Sequence, residues 1–197
     1  MEHTDMKLED LICPWALRDP LSLEYHNLRW GKLPKEDSEL FALLELEVFS
    51  SGLSWSLILS REKRIRECCL DMDPEALAEV SDSFLESLLR DSRMIRNRSK
   101  VYWLRENARA FLKIQKAEGS FKRYLDKILG EPVDHRPRPG EIPPSSNPDS
   151  ERLAADMKRW GFKGVGPVVA YSFMQAVGYV NDHVITCPYR GNSRNNF

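Results

Sequence analysis

Two Cys/His pairs stand at opposite ends of this chain, Cys13-x12-His26 and His183-x3-Cys187. The sequence holds four cysteines and four histidines, so half of each kind falls in these two pairs. Two thiolates and two imidazoles are the donor set of a closed tetrahedral zinc site. If the four meet, a metal ties the N-terminal segment to the C-terminal one, and only folds that return on themselves remain. Such a site is structural, because four protein ligands leave no position open for a substrate. The spacing differs from that of a zinc finger. By spacing alone, Cys13 and Cys187 are also readable as ordinary buried thiols.

A chain of 197 residues, 42% hydrophobic and 30% charged, is that of a soluble globular protein with one core or two small lobes. No run approaches the roughly 18 apolar residues of a membrane span. Met1–Asp5 is acidic and polar, unlike a secretory signal, so a cytoplasmic protein with reduced cysteines is expected. Adjacent Cys68 and Cys69 lie in a helical pattern and read as core filler. The net charge of −1 is unevenly spread. From Arg90 to Arg123, eleven Lys/Arg face only Asp91, Glu106 and Glu118, a local net of +8, whereas Glu36 to Glu86 leans acidic. That asymmetry suits an anionic partner such as nucleic acid, and it also suits the solvated face of a long helix.

The periodicity predicts helices almost throughout and no strand ladder. Leu40, Leu43, Leu44 and Val48 form one apolar stripe. Ser54 is placed to cap the next helix, Asp73-Pro74 and Ser81 to open two short ones. A long helix is expected from Ser99 to Ala117, ended by Gly119-Ser120, and a shorter one through Tyr124, Leu125 and Ile128. Gly130 to Ser150, with six prolines, reads as an extended connector. Asp149 or Ser150 then caps a helix through Leu153, Met157 and Trp160, and a last helix runs from Pro167 to Val177. These elements make one domain over residues 10–190, followed by a tail, 191–197, expected to be disordered.

Three constellations carry chemistry. Gly161-Phe162-Lys163-Gly164-Val165-Gly166-Pro167 joins two helical patterns. Glycines let backbone N–H groups face outward, and the next helix adds the positive end of its dipole, so Lys163, Gly164, Val165 and Gly166 could cradle a phosphate. This is the logic of a helix-hairpin-helix gripping DNA backbone without reading sequence, and a plain interhelical turn fits the same residues. Tyr25, Trp30 and Trp55 sit beside loop-like segments; aromatic faces hold bases extruded from DNA, and a cationic base adds cation–π attraction, although core packing is the commoner use of a Trp. Glu47 closes an apolar stretch just before Ser50-Ser51-Gly52, where a carboxylate is either exposed or functionally buried. Arg96, Arg98 and Lys100 are candidate phosphate partners on charge alone.

Taken together, the chain resembles the DNA-3-methyladenine glycosylase I family of base-excision enzymes. The matching stretches are Asp19-Pro20-Leu21, Tyr25-His26 with Trp30-Gly31, Leu46-Glu47, Gly52-Leu53-Ser54-Trp55, Ile95-Arg96-x-Arg98, Gly161-Phe162-Lys163-x-Val165-Gly166, Tyr171 to Ala176, and Asn181-Asp182-His183-Val184. The resemblance implies an all-α helix-hairpin-helix glycosylase fold with two lobes and a base pocket between them. It implies that Cys13, His26, His183 and Cys187 form a structural zinc clasp joining the termini. It implies that Tyr25, Trp30, Trp55 and Glu47 bind the alkylated adenine, with Glu47 as the catalytic and recognition carboxylate, and that Gly52 and Leu53 probe the stack the base has left. The implied activity is hydrolytic, monofunctional excision of 3-methyladenine from damaged duplex DNA by a monomeric enzyme. An inactive zinc-clasped DNA-binding protein of the same fold, or a glycosylase with a shifted alkylpurine range, are the alternatives.

In the wider superfamily a catalytic aspartate follows the hairpin; here that place is Asn181, beside Asp182, and the group resembled similarly lacks the aspartate. The chain departs from the family pattern at Asn27-Leu28-Arg29, where acidic residues are usual, and at Val48-Phe49-Ser50-Ser51, where glutamine followed by alanine is usual. Both departures bear on substrate range and turnover more than on fold.

Overall fold

The structure, a computed structural model, describes residues 11–192. The chain divides into two compact units, each assembled from separated segments. Among the described residues one comprises 11–33, Glu131–Pro144 and 174–192, the other Pro34–Gly130 and Ser145–Phe173. No helix among the described residues is long and apolar enough to cross a membrane.

In the first unit a 3₁₀ turn, Pro14–Arg18, leads into α1, Pro20–Leu28. Asp19 caps α1 by accepting from the Ser22 backbone N–H at 2.9 Å and from Ser22 Oγ at 2.7 Å, and Pro20 occupies the first helical position, where no N–H is needed. The connector after Gly130 contributes a strand of two residues, β1 (Val133–Asp134). It pairs in parallel with β2 (Val180–Asn181), Val133 opposite Val180 and Asp134 opposite Asn181. Periodicity does not reveal this pairing, because two residues are too few to show an alternation.

The second unit is helical: α2 (Asp37–Ser50), α3 (Trp55–Cys68), α4 (Pro74–Ala78), α5 (Asp82–Arg90), α6 (Arg98–Glu118), α7 (Phe121–Leu129) and α8 (Pro148–Trp160). The last helix, α9 (Pro167–Ala176), begins here and carries the chain into the first unit. Every residue of α2 from Leu40 to Phe49 is buried, so α2 is a core helix, with no polar face in its last three turns. Phe41 meets Phe111 of α6 at 5.1 Å between ring centroids, and Phe111 meets Phe121 of α7 at 4.5 Å. Asp37, at the start of α2, accepts from Gln115 Nε2 at 2.8 Å and from the Lys122 N–H at 3.1 Å, so one carboxylate ties three helices.

The expected caps Ser54, Asp73 and Ser81 are in place. The cap of α8 is Asn147, not Asp149 or Ser150: its side chain accepts from the Ser150 N–H at 2.8 Å while Ser150 Oγ accepts from the Asn147 N–H at 2.9 Å. Proline at the next position starts the helix two residues earlier than a cap at Asp149 would. Cys68 and Cys69 are both buried, as core filler should be. Of the tail, residues 193–197 lie outside the described residues.

Candidate functional site

The two Cys/His pairs converge within the first unit. The donor atoms of Cys13, His26, His183 and Cys187 all lie within 4.8 Å of one another, and all four residues are buried. Cys13 Sγ is 3.5 Å from His183 Nδ1, Cys187 Sγ is 3.5 Å from the same nitrogen, and Cys187 Sγ is 3.6 Å from His26 Nε2. With zinc bonds of about 2.3 Å to sulfur and 2.05 Å to nitrogen, a tetrahedron has sulfur–nitrogen edges of roughly 3.5 Å. The donor set therefore has the size of a tetrahedral site.

Of the two thiols, Cys187 is held deprotonated and Cys13 protonated, so a cation would displace one proton on binding. The hydrogen bond from Cys13, assisted by His183 and His26, holds the Cys187 thiol far below its ordinary value, while the same bond and burial push Cys13 up. Burial lowers the pKa of His183, which favours the neutral, ligating imidazole. His26 Nδ1 donates to Asn27 Oδ1 at 2.8 Å, leaving Nε2 as the nitrogen that faces Cys187. Asn27, a departure from the acidic pattern, thus still orients the His26 ring.

Tyr25 and Trp30 belong to the same unit. Contrary to the loop placement expected for it, Tyr25 lies within α1 and is buried; the period-3.6 signal is missing because α1 has little apolar contrast between its faces. Trp30 sits in the turn after α1, buried, with its ring 4.5 Å from His183 and 4.9 Å from Trp15. Asn181 and Asp182 are also buried. Asp182 accepts from His135 Nδ1 and from Gln175 Nε2, each at 2.7 Å.

In the second unit Glu47 is 7% exposed, in the last turn of α2. Burial pushes its carboxyl up to about 8, against a smaller opposing pull from Ser50 Oγ, which donates to Oε2 at 3.3 Å. Gly52 follows with φ of +77°, a left-handed conformation that suits glycine, and Leu53 is 42% exposed. Trp55 is the first residue of α3, directly after the loop that ends at its cap Ser54.

The turn 161–166 joins α8 to α9, and its residues 162–166 line a groove of about 560 Å³ with Glu151, Ala154, Ala155, Lys158 and Pro167. Gly164 has φ of +74°, and a Cβ there would stand 2.6 Å from the Trp103 ring and 3.0 Å from Val48. Glycine is therefore required for the turn to seat against α6 and α2. The Lys163 side chain is exposed, while its backbone N–H donates to Asn107 Oδ1 at 2.7 Å and its carbonyl accepts from Asn107 Nδ2 at 3.0 Å.

Of the three basic candidates, Arg96 is exposed and Arg98 pairs with Glu86 at 2.6 Å. Lys100 is not a surface phosphate partner. It is 7% exposed, and Nζ donates to the Phe49 carbonyl at 3.0 Å and to that of Ser51. Sequence reasoning also passed over Glu45 and Asn107, both fully buried and joined at 2.8 Å. A glutamate in the middle of an otherwise apolar helix was the signal available.

Residues 15–190 match the family model described as methyladenine glycosylase. The chain is 36% identical over 187 residues to DNA-3-methyladenine glycosylase 1 of Escherichia coli (strain K12), covering 91% of this chain and 97% of that protein. It is similar to a crystal structure of 3-methyladenine DNA glycosylase I, with a TM-score of 0.85, 35% identity, and coverage of 90% and 98% of the two chains. It is equally similar to a Tyr-to-Phe variant of such an enzyme in complex with 3-methyladenine, with a TM-score of 0.86, 31% identity, and coverage of 90% and 96%.

Proposed function

The chain belongs to the methyladenine glycosylase family, and on that premise we propose that it excises 3-methyladenine from damaged duplex DNA. The bond broken is the N-glycosidic one, water is the nucleophile, and the products are free base and an abasic site. The observation that carries this reading is Glu47, a buried carboxyl at the family's Leu-Glu position, followed six residues on by an exposed Leu53 after the Gly52 turn.

The roles follow from the chemistry of an N3-methylated adenine. Methylation leaves the base cationic in DNA, so it departs without full protonation and needs no strong general acid. Binding and the surrounding charge then lower the barrier. This agrees with Asn181 standing where the superfamily has an aspartate, and with Asp182 engaged by His135 and Gln175. Glu47 is assigned to the base edge, where a cation restores its charge, and Tyr25, Trp30 and Trp55 to the base faces. Gly52 and Leu53 are assigned to the emptied stack. The segment α8, 161–166, α9 is read as a helix-hairpin-helix, with Lys163, Gly164, Val165 and Gly166 against backbone phosphates. No lysine stands among the residues assigned to the base, which fits a monofunctional hydrolase that forms no Schiff base. Cys13, His26, His183 and Cys187 would hold one zinc ion, which supplies cross-linking energy and no chemistry. A cytoplasmic monomer is the matching setting.

Incubation with methylated duplex DNA and chromatography of the released bases tests the reading. Release of 3-methyladenine is expected. Damage-selective binding with no release would replace it with an inactive binding protein, and release of methylguanines at a comparable rate would replace it with a shifted range.

A further inference from the structure

We propose that Lys100 is a positioning residue: it holds the loop after α2 on the same face of α6 that holds the turn 161–166, so that one helix sets the spacing of both DNA-facing segments. The inference rests on the function proposed above, which assigns those two segments to DNA.

A helix leaves its last four carbonyls without intrahelical partners. At the end of α2 each is accounted for. The Glu47 carbonyl accepts from Ser50 Oγ at 2.9 Å, and the Val48 carbonyl from Ser51 Oγ at 3.0 Å. The Ser50 carbonyl accepts from the Leu53 N–H at 2.7 Å. The Phe49 carbonyl, and that of Ser51 beyond it, are taken by Lys100 Nζ. All of these bonds except the two from Lys100 are made within residues 47–53. Lys100 is therefore the tie that fixes the loop to another element, and its charge sits at the negative end of the α2 dipole.

Two turns along α6, about 10.5 Å at 1.5 Å per residue, Asn107 grips both backbone groups of Lys163. Between them Trp103 presses on Gly164 at a distance no side chain could fill. Lys100, Trp103 and Asn107 lie at i, i+3 and i+7, a single helix face. Glu45 steadies the Asn107 amide by accepting its second N–H at 2.8 Å. A helix does not stretch, so a duplex gripped by the turn meets Leu53 at a set distance. A basic residue two turns before the hairpin clamp thus serves geometry and not charge neutralisation.

A phosphate partner and a positioning residue differ in salt dependence, because each neutralised phosphate adds about one to the slope of log affinity against log salt. The test uses the full chain, with undamaged duplex for affinity across salt concentrations and methylated duplex for single-turnover base release. Lys100→Met is expected to leave the salt slope unchanged and to slow release at least tenfold. Lys100→Gln, which returns N–H donors without charge, is expected to release base at least threefold faster than Lys100→Met. Lys163→Ala, as a control, should lower the slope by about one. A slope lowered by about one in Lys100→Met, or release at the wild-type rate, overturns the proposal. If Lys100→Met does not fold, Lys100→Gln carries the slope comparison alone, and a slope lowered by about one overturns the proposal. Wild-type protein that releases no 3-methyladenine would instead overturn the function proposed above, an outcome distinct from either.

Discussion

Glu45 Oε1 accepts from Asn107 Nδ2 at 2.8 Å, while Oε2 of the same carboxyl is buried with no hydrogen-bond partner among the described residues. Burial outweighs the Asn107 bond and pushes the Glu45 carboxyl from 4.5 up to about 8. The folded protein therefore keeps a proton that the unfolded chain loses near its ordinary value. The contribution of Glu45 to stability falls as pH rises between about 4.5 and 8 and is level on either side. Glu47 adds a slope of the same sign. Glu45→Gln keeps the acceptor for Asn107 and cannot ionise. It should match the wild type at pH 4 and exceed it at pH 7 by at least about 1.4 kcal/mol, the worth of one pKa unit. Urea unfolding at the two pH values checks this; equal stability at pH 7 would mean that water reaches Oε2.

Metal content is the second measurement. Protein purified without chelator should hold about one equivalent of zinc, because sites with this donor set bind tightly. Cys13→Ser should lose most of it and lower the melting temperature, with base release affected only through folding. Acidification should release the ion, since thiolates and imidazoles must be deprotonated to ligate. Less than about a tenth of an equivalent in the wild type would leave the four residues as a buried hydrogen-bonded cluster.

Glu47→Gln separates recognition from DNA binding. Base release should fall at least about tenfold, equivalent to roughly 1.4 kcal/mol in the barrier, while affinity for undamaged duplex stays constant because phosphate contacts dominate it. The wild-type rate should also climb with pH until Glu47 ionises, near 8, a limb the variant lacks. Wild-type release by the variant would make Glu47 a bystander.

Gly164→Ala probes the seat of the turn. Its Cβ would collide with Trp103 at 2.6 Å, and φ of +74° disfavours any side chain. A loss of about 1–3 kcal/mol in stability and weaker binding to undamaged duplex are expected. An unchanged melting temperature would show that the Trp103 ring moves aside freely.

Much of the fold is legible in one dimension. Leu40, Leu43, Leu44 and Val48 announce α2, and Ser54, Asp73 and Ser81 announce the starts of α3, α4 and α5, because caps and stripes are set by neighbours three and four residues away. The cap at Asn147 is not legible beside Asp149 and Ser150, because several cap-forming residues lie close together and only the backbone of the connector decides among them. The pairing of β1 with β2 left no periodic trace.

The sequence by itself determined the two Cys/His pairs, Cys13 with His26 and His183 with Cys187, the apolar setting of Glu47 and the glycines of the turn 161–166, since residue type alone limits those chemistries. Only the tertiary structure decided that the two Cys/His pairs meet within 4.8 Å, and which charges are in water. Lys100 and Arg98 are two residues apart and alike in charge, yet one is buried against carbonyls and the other pairs with Glu86 at the surface. Burial depends on which helix face turns inward, and that is fixed by packing between segments distant in the chain, where no local pattern reaches.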